Sequence, residues 1–73
     1  MKIYFDKFGN KAEIEKVKIL PYNGADKKVN GYRLILSAMY DNDFVYHISV
    51  HETLAEAENK MRTFSCGEWE GKN

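Results

Sequence analysis

Seventy-three residues allow one domain at most, because domains typically run to about 100–150 residues. A hydrophobic content of 44% with ten aromatic residues excludes a disordered chain. Eleven Lys/Arg balance eleven Asp/Glu, so no overall field drives the chain onto a polyanion, and a strong non-specific nucleic-acid binder is disfavoured.

One cysteine, Cys66, is present. A secreted domain this small is usually stapled by two or more disulfides, so a reducing, cytoplasmic setting is expected. The opening Met1-Lys2-Ile3-Tyr4-Phe5-Asp6 has no signal-peptide apolar core. The longest apolar run is Leu34-Ile35-Leu36, far short of the ~20 residues that span a bilayer.

In chain order, residues 1–5 alternate Met1, Ile3 and Phe5 with Lys2 and Tyr4, which predicts a short strand. Asp6-Lys7-Phe8-Gly9-Asn10 is a turn cluster. A second strand follows from about Ala12 to Tyr22, stopped near Pro21, with Val17 and Ile19 facing inward. A helical turn over 11–16 is the alternative, since Asn10 and Glu13 have capping-box spacing. The polar stretch Asn23–Gly31 is expected to be a loop.

Residues 32–50 predict a hairpin. Tyr32, Leu34, Leu36, Ala38 and Tyr40 alternate with Arg33, Ile35, Ser37 and Met39; Phe44, Tyr46, Ile48 and Val50 alternate with Val45, His47, Ser49 and His51. A loop of Asp41-Asn42-Asp43 pairs Tyr40 with Phe44 and Leu36 with Ile48. That register keeps the apolar set on one face.

Thr53 followed by Glu56 is a capping box, and Leu54, Ala57, Met61 and Phe64 form an apolar stripe. With Gly67 placed for a left-handed cap, the helix is expected over 54–65, laid on the Tyr/Leu/Phe/Ile face. Glu68-Trp69-Glu70 suits a short terminal edge strand. Trp69 reads as a lid on the core, with a partner anchor as the alternative. The expected fold is α+β: a three- to four-stranded antiparallel sheet, one C-terminal helix on one face, and a terminal edge strand.

No constellation for chemistry emerges. His47 and His51 are four apart on a strand, a separation of about 13 Å, too far to share one ion through ~2.0 Å bonds. Cys66 follows a helix C-terminus, where the dipole opposes a thiolate. Asp41 and Asp43 fit turn chemistry. Catalytic residues, metal and cofactor are therefore all expected to be none, with no membrane and no small-molecule substrate.

What remains is the sheet face without the helix. The expected binding set is Lys16, Lys18, Arg33, Ile35, Met39, Val45, His47 and His51. Strand–turn–strand–helix order over residues 15–65, with Thr53-Leu54-Ala55-Glu56-Ala57, resembles the arm-type DNA-binding domains of phage and transposon integrases. The resemblance implies a sheet face set into a major groove, using Lys16, Lys18, Arg33, His47 and His51. Zero net charge, with Ile35, Met39 and Val45 on that face, points instead to a protein partner or a homodimer. The expected function is a non-enzymatic interaction module; the alternative is a DNA-binding or regulatory domain of a mobile element.

Overall fold

The computed structural model describes residues 1–19, 29–64 and 67–72. Among them run β1 (Lys2–Phe5), β2 (Asn10–Ile19), β3 (Val29–Ala38), a 3-10 turn (Met39–Asp41), β4 (Phe44–His51), α1 (Leu54–Met61) and β5 (Glu70–Lys72). The strands form one antiparallel sheet in the order β4-β3-β2-β1-β5, and α1 packs on one face. The α+β architecture is thus the expected one, with five strands where three to four were expected, and with the terminal edge strand at Glu70–Lys72 instead of residues 68–70.

The β1–β2 turn is built by Asp6. Its carboxylate accepts from the amides of Phe8 (2.9 Å) and Asn10 (2.8 Å) and from the Asn10 side chain. Gly9 sits there at φ 87°, a conformation L side chains rarely adopt. The residues from 11 to 16 are strand, not helical turn. Pairing of Ala12 with Leu36 and Ile14 with Leu34 puts the even-numbered side chains of β2 under the helix. Val29, Asn30 and Gly31, expected in a loop, belong to β3. The remainder of that expected loop, the strand end at Leu20–Tyr22, and Cys66 lie outside the described residues.

The β3–β4 register differs from the expected one. Leu36 lies opposite His47, Leu34 opposite Ser49 and Ile35 opposite Ile48, with Ala38–Phe44 the last pair before the turn. The connection therefore covers Met39 to Asp43: the 3-10 turn, then Asn42 and Asp43 at φ 54° and 57°. Leu36 pairs with His47 while Ser37 pairs with Val45, so Tyr46 is the extra residue of a bulge. Left-handed Asn and Asp are inexpensive, which lets this longer turn displace the three-residue loop.

The core lies between sheet and helix. Ala12, Ile14, Leu34, Leu36, Ala57 and Met61 are buried, flanked by Tyr4, Tyr32, Leu54, Phe64 and Trp69. Each large side chain fully buried there contributes about 1.5–3 kcal/mol. The Thr53 hydroxyl accepts from the Glu56 amide at 3.1 Å and starts α1 as its spacing predicted. The helix ends at Met61, before the expected 65, because the chain tightens: Thr63 and Phe64 bond back to the carbonyls of Lys60 and Met61. Gly67, at φ 75°, donates to the Phe64 carbonyl and turns the chain towards β5. The Trp69 indole donates to the Met61 carbonyl at 3.0 Å, so Trp69 does cover the core's end.

Candidate interaction surface

Strand register assigns every sheet residue to a face. Over β1 to β4 the face without α1 carries five rows: Ile3, Glu13, Ile35 and Ile48; Phe5, Lys11, Ser37 and Val45; Glu15, Arg33 and Val50; Val17 and Gly31; Ile19 and Val29. The charges at its centre are paired. Arg33 lies opposite Val50 on one side and Glu15 on the other, and its guanidinium meets the Glu15 carboxylate at 2.6 Å. Lys11 reaches Glu13 at 3.4 Å. Among the described residues Arg33 Nε finds no hydrogen-bond partner although its atom is buried, consistent with a stem laid flat along the sheet. Ser37 is buried and Ile35 half-buried on a face that no described helix covers. The long side chains around them therefore shield the centre of this face, and its exposed apolar surface moves to β4: Val45, Ile48 (60%) and Val50 (50%).

Of the eight residues the sequence nominates, the structure brings together Arg33, Ile35 and Val45. Met39 has left the sheet for the 3-10 turn. Lys16 and Lys18 pair with Tyr32 and Asn30, which puts them on the helix side of β2, beyond the helix; Lys18 donates to the Asn30 side chain at 2.8 Å. His47 and His51 also face the helix side, because the hairpin is offset from the expected register. Ile48 and Val50 take their place on the open face. Sequence reasoning assigned those two to the core, and the left-handed Asn42-Asp43 pair was the signal that could have corrected it.

The histidines do meet, though not as ligands spaced along a strand would suggest. Ser49 Oγ lies 2.9 Å from His47 Nε2 and 2.7 Å from His51 Nε2, a hydrogen-bonded row under the helix margin. The His47 ring also tilts against Phe64, centroids 5.1 Å apart. Burial lowers the His47 pKa below its ordinary value, and the charges of Lys60 and His51 lower it further. Across the helix, the Tyr4 hydroxyl donates to Glu58 at 2.8 Å; burial, then that bond, raise its pKa. Among the described residues no three His, Cys, Asp or Glu side chains converge as a metal site would require.

A cleft of about 390 Å³ opens between the β1–β2 turn and the approach to β5, lined by Phe5, Asp6, Lys7, Glu68 and Trp69 among others. The ion pair Lys7–Glu68 (3.1 Å) lies at the same place. Asp6, in the cleft's lining, accepts from the turn amides of Phe8 and Asn10. No described helix is long and apolar enough to cross a membrane. No protein-family model, curated protein or solved structure matches this chain.

Proposed function

We propose that this chain is a small non-enzymatic binding module that meets a protein partner through its open sheet face, centred on the β4 side. The observation that carries this reading is the continuous apolar surface of Val45, Ile48 and Val50, set beside Ile35 and an Arg33–Glu15 pair that cancels its own charge. Exposed apolar groups with neutralised charges around them suit desolvation by another protein. They suit a phosphate backbone poorly. The DNA reading needed Lys16, Lys18, His47 and His51 beside Arg33, and the register puts those four on the other side of the sheet.

The test is capture by immobilised protein, comparing the native chain with an Ile35→Thr/Ile48→Thr variant. Thr suits a strand, so folding should survive. A partner retained by the native chain and by Tyr40→Ser, but lost by the double variant, supports the reading. A partner retained equally by all three places binding elsewhere. Duplex DNA binding that falls steeply as salt rises would favour the mobile-element alternative instead.

A further inference from the structure

We propose that the partner of β4 is the β4 of a second copy, paired antiparallel about a two-fold axis at Ser49, so that two five-stranded sheets become one of ten strands. This rests on the binding-module reading and names its partner.

The first observation is position. β4 is an outer strand of the sheet, so among the described residues one row of its backbone N–H and C=O groups has no neighbouring strand. The second is what the strand lacks. Sheet edges are normally blunted by Lys, Pro or inward-pointing charge, yet Phe44-Val45-Tyr46-His47-Ile48-Ser49-Val50-His51 contains no Lys, Arg, Asp, Glu or Pro. Apart from its histidines, such a strand presents no charge that its own copy would repel, and none that would select a partner of opposite charge.

The third observation fixes the register. The bulge at Tyr46 breaks the ladder, leaving His47–His51 as the regular segment. An antiparallel self-pairing that uses all five residues is centred on Ser49. It sets Ile48 opposite Val50 of the second copy, and Val50 opposite its Ile48. Both pairs lie on the open face, so the two most exposed apolar side chains of that face's β4 stripe, 60% and 50% exposed, cover each other. Opposed apolar pairs of this kind are the stabilising units of an antiparallel sheet. His47, Ser49 and His51 of the two copies then lie together on the helix side.

The fourth observation explains why pairing stops at two. The other outer strand, β5, is three residues long and reads Glu70-Gly71-Lys72, a short, charged edge of the protected type. A two-fold pairing through β4 consumes the longer of the sheet's two outer strands and leaves a closed dimer.

The experiment is light scattering or sedimentation of the full chain from micromolar to millimolar concentration. The mass should rise from 8.5 kDa towards twice that value. Ile48→Lys, at an exposed position, should shift the association midpoint upward at least tenfold with unchanged circular dichroism; Tyr40→Ser, exposed but off the ladder, should leave it in place. As an independent measurement, Ser49→Cys in a Cys66→Ser background should form disulfide-linked dimers on mild oxidation, because facing strand residues lie within disulfide reach. Lys18→Cys in that background should not. A chain that stays monomeric throughout, or association that survives Ile48→Lys with no Ser49→Cys cross-link, overturns the self-pairing. If that same monomer still captures a protein dependent on Ile35 and Ile48, the module reading stands and only its partner changes.

Discussion

The two edges of the sheet follow opposite rules. On the β5 side the edge is short, charged and roofed: Trp69 is tied to the Met61 carbonyl, and Tyr4 on neighbouring β1 is tied to Glu58 of α1. On the β4 side the edge is eight residues long, uncharged apart from its histidines, and most of its large apolar side chains are exposed. Both edges flank the same core, so the difference does not arise from a shortage of apolar residues. Folding has used the helix and the chain end to seal one side, and the apolar surplus has collected on the other. Long sheet edges are usually blunted by charge, proline or a covering element, and β4 carries neither of the first two.

The largest effect that sharpens the contrast compares neighbours on the two faces. Leu36 is fully buried, and Leu36→Ala should cost about 2–5 kcal/mol. A domain this small has only about 3–5 kcal/mol in total, so most of the folded population should be lost. Ile48→Ala at low concentration should change stability by no more than about 0.5 kcal/mol, as exposed substitutions usually do. Urea unfolding of both variants checks the pair. Equal losses would mean that β4 belongs to the core after all.

The sealed edge can be opened selectively. Trp69→Phe keeps most of the ring and removes the bond to Met61, at a cost of about 1–1.5 kcal/mol. Amide exchange should quicken in β5 and the paired part of β1 while β3 and β4 keep their protection. Uniform acceleration would show that β5 is not a separately opening unit. Thr53→Ala should cost about 1 kcal/mol through loss of the helix cap, read as a fall of about 4–8 °C in melting temperature. An unchanged melting curve would show that the cap bond adds nothing.

How much was legible in the sequence follows the same contrast. The terminal edge strand, expected over residues 68–70, forms two residues later at Glu70–Lys72. Where two signals agreed, the reading held: Thr53 with Glu56, and the Leu54/Ala57/Met61/Phe64 stripe. It failed where apolar alternation spoke alone. In β2 the pattern changes phase after Glu15, from Ala12 and Ile14 to Val17 and Ile19, but a strand whose ladder has no bulge cannot change phase. Its ladder with β3 holds Ala12 and Ile14 inside, and Val17 and Ile19 emerge on the open face. In β4 the alternation of Ile48 and Val50 signals burial only if a helix lies above them. Their position is set by the turn and the bulge, which hydrophobic pattern does not encode. The candidate surface was therefore half visible: Arg33, Ile35 and Val45 were found, while Ile48 and Val50 were mistaken for core.

The smallest expected effect concerns the one margin where the bare edge meets the helix. His47 faces Lys60 and Phe64 from the α1 side, and Ser49 and His51 along its own strand. Burial is the main cause that lowers its pKa, followed by the charges of Lys60 and His51. A group whose folded pKa is depressed binds its proton more readily in the unfolded chain, so the folded state loses stability as pH falls. This contribution is fully present above about 6.5, the unperturbed value, and drains away below it until the folded pKa is passed. Melting temperature should therefore decline from pH 6.5 towards 5.5, before most carboxylates titrate, and His47→Gln should flatten that limb. Lys60→Gln removes the second cause and leaves the first, so the His47 ring resonances should titrate at higher pH than in the native chain yet still below the ordinary value. A native His47 that titrates at or above that value would show that the helix does not desolvate this part of β4, and that the edge is bare on both faces.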